Sequence, residues 1–244
     1  MAAGKAHRIF ITTIVILWVI VSTPVCTVFI LLFRPFSLLI PAAFARLWCS
    51  ILTLMSGITV TVEGLSKLDR KKSYIFASNH LSAADIALLY YGLPFRIGYL
   101  AKKELFFIPF FGWSMWALGH VAVDRKNPQR SRRSIERAAK ILHKGRTSLV
   151  VFPEGTRSVT GELGVFKLGV FSLAIKAGVE IVPVAIQGTR ELMPKGSFYI
   201  NPCPVSIRVD SSIPTASLTR KNKQEIATRV RARVTAMLAA ETWS

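Results

Sequence analysis

The chain has 244 residues, of which 51% are hydrophobic, and its formal net charge is +19. This length suits one domain with a small appendage, and the apolar content excludes an intrinsically disordered protein. The excess of Lys and Arg indicates an anionic partner, for which nucleic acid and anionic lipid are the two candidates. The cysteines have no paired spacing and support neither a disulfide framework nor a zinc site; they are Cys26, Cys49 and Cys203.

The N-terminal quarter of the chain is apolar, whereas most of the basic residues come later. Residues 9–33 contain no charged side chain and reach the roughly 20 residues with which a helix crosses the hydrocarbon core of a bilayer. Residues 37–62 form a second apolar run, which is interrupted by Pro41 and Arg46. This second run is compatible with a second span, a re-entrant helix or an interfacial helix.

Arg34 and Pro35 separate the two runs and predict a turn. The two runs then form a helical hairpin that returns the chain to the side from which it started. A cleaved signal peptide is the alternative for the first run, but that run is longer than a typical signal core and no Ala-x-Ala site follows it. The excess of Lys and Arg after the hairpin predicts that the basic domain lies on the cytoplasmic face of a membrane.

From about residue 66 the pattern changes to short β-rich runs that alternate with amphipathic ones, which is typical of an α/β domain. The predicted strands are residues 74–78, 97–101, 120–123, 148–152 and 181–186. The predicted helices are residues 128–143, 167–177 and 219–240. The basic face of the last helix has two interpretations, a solvated surface or a contact with a membrane surface.

Residues 78–85, Ser-Asn-His-Leu-Ser-Ala-Ala-Asp, follow a predicted strand and lead into an apolar helical run. Such a turn can present the imidazole of His80 outward and let the carboxylate of Asp85 fold back onto it. An imidazole accepts a hydroxyl proton near neutral pH, and a carboxylate on its other nitrogen fixes the tautomer and stabilises the cation. Taken alone, the pattern also fits a helix cap at Asp85 and a loop histidine.

A second polar loop, Pro-Glu-Gly-Thr-Arg-Ser at residues 153–158, leaves the predicted strand 148–152. Gly155 allows close backbone approach, and Arg157 offers a planar fork suited to phosphate oxygens. The loop therefore predicts an anion cradle, with a surface turn closed by a Glu-to-Arg ion pair as the alternative. Further cations follow neighbouring strands, at the edge where open α/β sheets bind ligands; they are Lys102, Lys103 and Arg125.

These motifs occur in the order found in the glycerolipid acyltransferases, and residues 66–210 resemble the 1-acylglycerol-3-phosphate acyltransferases in particular. His80 and Asp85 match the His-x4-Asp motif of that family. Residues 100–105 and 108–112 look like its second block, residues 152–158 like its third and residues 181–186 like its fourth. The family commonly has a Gln and an aromatic residue inside the first motif, where this chain has Leu81 and Ala83.

The resemblance implies an α/β fold in residues 66–244, with a central mixed sheet flanked by helices. A hydrophobic helical hairpin in residues 1–65 would anchor this domain to a membrane. The implied reaction moves a fatty acyl group from acyl-CoA or acyl-carrier protein to the sn-2 hydroxyl of 1-acylglycerol-3-phosphate, which yields phosphatidic acid. Membrane phospholipid and lysophosphatidic acid would be the partners, and nucleic acid would not. Since a thioester is already activated, no cofactor and no metal are expected.

The same resemblance assigns roles to individual residues. His80 would act as the base, with Asp85 as its partner. Arg157, assisted by Lys102 or Lys103, would hold the phosphate of the acceptor. The other substrate-binding candidates are Glu154, Gly155, Thr156 and Pro183. Pro183 would border the acyl groove, although a buried central strand explains a proline with apolar neighbours equally well.

Two alternatives to this function stay open from the sequence. One is the same transfer to another lyso-lipid, such as a lyso-ornithine lipid or a lysophospholipid. The other is a non-enzymatic basic protein that binds anionic lipid or nucleic acid. Electrostatic binding of that kind needs neither the paired loops nor this amount of apolar sequence.

An aromatic cluster lies beside the second block; its members are Phe106, Phe107, Phe110, Phe111, Trp113 and Trp116. Core packing is the favoured interpretation, and contact with a lipid interface is the alternative. His120 and His143 have no partner in sequence and are interpreted as structural residues.

Overall fold

Two apolar helices precede the first strand in the computed structural model, which describes residues 4–124, 126–143, 145 and 147–240. Helix α1 spans Lys5–Phe33 and helix α2 spans Leu39–Met55, with a turn between them. The two helices pack against each other, which confirms the predicted hairpin. Within the described residues, α1 is the one helix that is long and apolar enough to cross a membrane by length and composition.

Seven strands follow, at Val60–Glu63 (β1), Ile75–Ser78 (β2), Ile97–Lys102 (β3), Val121–Val123 (β4), Ser148–Val151 (β5), Ile181–Gln187 (β6) and Val205–Val209 (β7). They form one sheet in the order β1-β7-β6-β2-β5-β3-β4. Neighbouring strands are parallel except for β6 and β7, which are antiparallel. The sheet is therefore mixed, as expected, and it contains all five predicted strands.

Strands β1 and β7 are the two that the sequence pattern does not predict. Strand β1 lies at the end of the apolar run 37–62, because α2 ends at Met55 and the chain then joins the sheet beside β7. The expected domain boundary at residue 65 therefore differs from the structure, in which residues 60–63 belong to the sheet. In β7, buried and half-buried residues alternate, which is the period of a strand with one covered face.

The remaining helices are Ala84–Gly92 (α3), Phe111–Ala117 (α4), Pro128–His143 (α5), Gly169–Ala177 (α6), Thr189–Leu192 (α7) and Lys223–Ala239 (α8). Helix α5 has both predicted ends, and α6 begins two residues later than predicted. The predicted helix 219–240 starts with a short 3₁₀ segment, Arg220–Asn222, which Thr219 caps together with Asn222, and continues as α8.

Two hydrophobic cores cover the two faces of the sheet, because successive residues of a strand point to opposite sides. On one face, Phe76 and Val150 belong to a core that includes residues of α1, α2 and α3. On the other face, Ile75 and Leu149 belong to a core with residues of α5, α6 and α8. The central strands are continuous apolar runs in the sequence because both of their faces are buried.

Helix α1 is attached to the domain along its length. Four hydrogen bonds contribute to this attachment: Arg8 Nη1 to Asn201 Oδ1 (3.2 Å), Ile200 N to Thr12 Oγ1 (3.0 Å), Thr27 Oγ1 to Phe110 O (3.1 Å) and Arg34 Nε to Ala117 O (2.7 Å). Arg8 and Thr12 lie in the first third of the helix, Thr27 lies in its last third, and Arg34 directly follows its last residue. The helix therefore runs alongside the sheet domain and does not project away from it.

The segment around α4 presents aromatic side chains to the surface. Phe107 is 80% exposed and Trp116 is 69% exposed, so the predicted core packing is wrong for these side chains. Phe110 has a left-handed backbone, with φ of 61°, a conformation that is strained for a bulky residue. This conformation accompanies the contact of its carbonyl group with Thr27 of α1. The segment that carries the exposed aromatic side chains is thus attached to the side of α1 that faces the domain.

His120 has a structural role, in agreement with the sequence analysis. Its Nδ1 atom accepts a hydrogen bond from the backbone N–H of Tyr99 at 2.9 Å. The ring packs against the rings of Tyr90 and Tyr99. Burial lowers the pKa of His120 to about 4, so the ring stays neutral and keeps the lone pair that this hydrogen bond requires.

Candidate active site

The turn that follows β2 at the centre of the sheet carries His80. Asn79, which is buried, bonds to the backbone of the neighbouring strand β6: its amide donates to Ile186 O at 2.9 Å and its Oδ1 accepts from Ile186 N at 2.8 Å. Ser82 donates to Met193 O at 2.7 Å and fixes the other end of the turn. The backbone around His80 is therefore held from both sides.

Asp85 folds back onto His80, as the spacing predicts. The distance between His80 Nδ1 and Asp85 Oδ2 is 2.7 Å. The same carboxylate oxygen accepts the backbone N–H groups of Leu81 at 2.8 Å and Ser82 at 2.9 Å. Asp85 is completely buried, so these hydrogen bonds offset the hydration that Oδ2 loses on folding, whereas Oδ1 has no hydrogen-bond partner among the described residues. Asp85 is thus both the partner of His80 and the residue that closes the turn.

Phe152 fixes the plane of the imidazole ring. The centroids of the His80 and Phe152 rings are 3.9 Å apart, and the two rings are nearly parallel, with an angle of 13° between them. The side chain of His80 retains 14% of its exposure. Since Nδ1 is engaged by Asp85, Nε2 is the ring nitrogen that is left to exchange a proton with a bound molecule.

Glu154 connects the two motifs. Its Oε1 atom accepts the backbone N–H of His80 at 2.9 Å, and its Oε2 atom accepts the backbone N–H of Gly164 at 3.0 Å. A third bond, from Ser158 N to His80 O at 2.8 Å, joins the same two loops. Glu154 is buried and both of its oxygens are occupied, so the alternative of a surface Glu-to-Arg ion pair is wrong.

Cations gather around the loop 152–158 from three parts of the chain. Gly155 has φ of 74°, and a Cβ atom added there would lie 2.7 Å from Lys167 Nζ, so the ammonium group rests over this glycine. Arg157 is half-buried, and its carbonyl accepts a hydrogen bond from Lys195 Nζ at 2.9 Å. Sequence reasoning places Lys167 only at the start of a helix and does not single out Lys195. No local signal marks either residue, because both reach the loop through the fold.

The other predicted binding residues have different surroundings. Lys103 forms a 2.7 Å ion pair with Asp124, and Lys102 lies 3.9 Å from Glu104. Thr156 is exposed at the loop tip. The structure places Pro183 inside β6, opposite Ala77 and buried in the sheet. Arg125 lies outside the described residues.

An apolar cavity of about 410 Å³ begins beside the His80 turn. It is lined by residues of the turn and α3, such as Ala83 and Ala84, and by residues of α1 and α2, such as Val15 and Leu52. Met193 closes it near Ser82. Its size falls within the usual range for ligand pockets. Within the described residues, no group of three or more His, Cys, Asp or Glu side chains is arranged to hold a metal ion.

A protein-family model described as Acyltransferase matches residues 59–187, which is more than half of the chain. The chain belongs to the acyltransferase family. The matched region begins just before β1 and ends with β6, so it contains both of the loops that meet at His80. The family resemblance of the four sequence blocks is therefore confirmed.

Several relatives carry the name 1-acyl-sn-glycerol-3-phosphate acyltransferase. The chloroplastic protein of Arabidopsis thaliana is 37% identical over 187 residues, which is 76% of this chain and 50% of the relative. The Saccharomyces cerevisiae protein is 37% identical over 190 residues, 77% of this chain and 62% of the relative. The chain thus spans only about half to three-fifths of the length of these curated relatives.

A solved structure matches nearly the whole chain. The crystal structure of the 1-acyl-sn-glycerophosphate acyltransferase PlsC from Thermotoga maritima has a TM-score of 0.81 and is 25% identical in sequence. The match covers 98% of this chain and 99% of that one, so it includes the N-terminal helix pair as well as the sheet domain.

Glu154→Gln tests the connection between the two loops. One oxygen becomes an NH2 group, which faces a backbone N–H and leaves it unpaired. We expect the free energy of unfolding in detergent to fall by about 1–3 kcal/mol. We also expect acyl transfer to fall by roughly 10- to 100-fold as His80 shifts. Glu162→Gln, which changes an exposed residue of the same loop, is the control. Wild-type stability and transfer in Glu154→Gln would contradict the proposed role of this bridge.

Proposed function

We propose that the chain transfers a fatty acyl group from a thioester donor to the sn-2 hydroxyl of 1-acylglycerol-3-phosphate, which yields phosphatidic acid. One observation carries the proposal: Glu154, from the loop that contains Arg157, binds the backbone of His80, which is paired with Asp85. The names of the relatives and the match over the whole chain to a bacterial lysophosphatidic acid acyltransferase support the same acceptor.

His80 acts as the general base in the proposed reaction. Its Nε2 atom takes the proton of the acceptor hydroxyl while the hydroxyl oxygen attacks the thioester carbonyl carbon. Asp85 holds Nδ1 and stabilises the imidazolium ion that forms. The tetrahedral intermediate then collapses, the carbon–sulfur bond breaks, and the leaving thiolate takes the proton back from Nε2. Because the thioester is activated, the reaction needs no enzyme nucleophile and no cofactor.

Arg157 and Lys167 hold the acceptor phosphate in this proposal. Both lie at the loop that Glu154 ties to His80, whereas Lys103 is engaged by Asp124. The planar guanidinium group binds two phosphate oxygens, and the ammonium group adds a point charge. Glu154 has no oxygen left for substrate, so we assign it to positioning and not to binding.

The apolar cavity beside the turn accepts an acyl chain in the same proposal. Ala83 and Ala84 line this cavity and lie within the His80–Asp85 turn, so a chain inside it would bring its carboxyl end close to the imidazole. Pro183 does not line the cavity. Acyl-CoA and acyl-carrier protein present the same thioester, and both remain donors in the proposal.

We infer that α1 and α2 lie within one leaflet on the cytoplasmic face. The hydrogen bonds at Thr12, Thr27 and Arg34 hold α1 against the domain from end to end. If α1 crossed the bilayer, it would carry this whole side of the domain into the hydrocarbon. The outward side of α1 is apolar and exposed, as an interfacial helix requires; it includes Phe10, Leu17, Val21, Val28 and Leu32.

Removal of the imidazole tests the chemical step. We expect His80→Ala to lower acyl transfer by about 100- to 10,000-fold, and Asp85→Asn to lower it strongly because the tautomer is no longer fixed. Transfer of a labelled acyl group to lysophosphatidic acid by purified protein is the measurement. His143→Ala, at the end of α5, is the matched control. Near wild-type turnover by a folded His80→Ala protein would refute the mechanism.

Arg157→Lys tests the assignment of the phosphate. The substitution keeps the positive charge but removes the planar guanidinium group that binds two phosphate oxygens. The KM for the lysophosphatidic acid acceptor should therefore rise about tenfold, while the donor KM changes little. Arg137→Lys, which is exposed on α5, is the control. If only the donor KM rises, Arg157 binds the phosphates of the donor and the proposal for this residue is wrong.

Tags at the two ends of the chain test the placement of the helix pair. A helix pair within one leaflet leaves both ends on the cytoplasmic side, so tags before Ala2 and after Ser244 should be equally accessible to protease in sealed vesicles of known orientation. Opposite accessibility would show a single crossing. Release of the intact protein by high salt alone would rule out apolar anchoring.

A further inference from the structure

A second cavity, of about 590 Å³, opens at the turn between α1 and α2. It is lined by residues 34–39 and by Arg96, which directly precedes β3. The candidate active site lies where the parallel strands end, whereas this cavity lies where β3 begins. The two are therefore at opposite edges of the sheet, and the proposed transfer mechanism does not use the second cavity.

The wall of this cavity is cationic. Arg34 is held through Nε, which donates to Ala117 O at 2.7 Å, and its terminal Nη groups make no hydrogen bond with the described residues. Arg96 donates to the hydroxyl group of Thr147. Arg34 and Arg96 thus bring two guanidinium groups to the wall of one cavity, and guanidinium groups bind the oxygens of anionic groups such as phosphate.

The first turn of α2 also favours an anionic ligand in this cavity. The helix has 17 residues and begins at Leu39 in the cavity wall, so the positive end of its dipole faces the same space. Ser37 Oγ accepts the backbone N–H of Leu39 at 3.0 Å and shapes the entrance.

The rim of the cavity is apolar, which distinguishes an amphiphile from a free anion. Phe36 is 83% exposed and Leu39 is 71% exposed, and both line the cavity beside the guanidinium groups. A soluble phosphate would gain nothing from such side chains. A phospholipid would place its headgroup phosphate on the arginines and its acyl chains along Phe36 and Leu39.

Helix α1 connects this cavity to the apolar cavity of the candidate active site. Val15 lines the apolar cavity and Arg34 lines the cationic one, and 19 residues of helix correspond to roughly 29 Å. If α1 lies in the plane of a leaflet, both cavities open toward lipids of that same leaflet.

We propose that the Arg34–Arg96 cavity binds the headgroup phosphate of an anionic phospholipid of the leaflet in which the enzyme sits. The bound lipid holds the turn of the helix pair at the level of the headgroups and thereby orients the active site toward the membrane. This proposal rests on the placement of α1 and α2 in one leaflet and does not depend on the transfer reaction.

The double variant Arg34→Gln/Arg96→Gln tests the site. Flotation measures the fraction of protein bound to vesicles in the absence of substrate. The ratio between vesicles that contain equal amounts of phosphatidylcholine and phosphatidylglycerol and vesicles of phosphatidylcholine alone gives the preference for anionic lipid. Loss of two arginines at the surface should reduce this preference roughly 30-fold. The control Arg132→Gln/Arg137→Gln removes the same charge from exposed positions on α5, at the opposite face of the sheet, and should change it little. Thermal unfolding in detergent checks that both variants fold.

Photolabelling of the wild-type protein keeps the test independent of the variants. A phosphatidylglycerol with a photoreactive headgroup should label peptides that contain residues 34–39 or Arg96. Unlabelled phosphatidylglycerol should suppress this labelling, and soluble glycerol phosphate should not. Equal suppression by glycerol phosphate would assign the cavity to a free anion and overturn the proposal. Labelling only elsewhere, or an equal loss of binding in the α5 control, would also overturn it. Failure of acyl transfer alone would leave these binding results unchanged.

Discussion

Parallel pairing of β2 with β5 is the constraint from which the candidate active site follows. Residues 75–77 lie in register with residues 149–151, so both strands end at the same edge of the sheet. The His80 turn leaves one strand there and the loop of Glu154 leaves the other. With antiparallel pairing the two loops would lie at opposite edges of the sheet. Neither loop alone contains all the residues of the candidate site. The buried cores on both faces keep this pairing in place.

A small number of polar contacts then turns proximity into a defined geometry. Asp85 and Phe152 hold the imidazole ring by its edge and by its face. Glu154 is a buried carboxylate whose two oxygens accept backbone N–H groups from both loops, so its desolvation is offset and the loops are locked together. The cationic side chains stand at the more exposed edge of this rigid centre. The arrangement suits a reaction with a fixed base and a phosphate-bearing substrate that arrives from outside.

The N-terminal helices form one wall of the apolar cavity beside the candidate site. Thr12 and Thr27 of α1, and Arg34 directly after it, turn their polar side chains toward the domain, where they find partners. The outward side of the helix is left apolar, and α4, which packs against α1, also exposes aromatic side chains. The apolar cavity lies between this helix pair and α3 and is lined by Ala83 and Ala84 of the His80 turn, so in the proposed placement it would admit an acyl chain from the leaflet.

The sequence by itself determined the features that depend on neighbouring residues. The five-residue spacing of His80 and Asp85 closes within one turn. The ends of α5 follow from Asn127 and Pro128 at its start and Gly145 after its end, and the five predicted strands follow from short apolar runs. Only the tertiary structure decided which distant residues meet. It placed Lys167 over Gly155, occupied both oxygens of Glu154 with backbone groups, buried Pro183 inside β6 and drew residues 60–63 out of an apolar run into the sheet. These contacts join segments that are far apart along the chain, and nothing in the local pattern of either partner specifies the other.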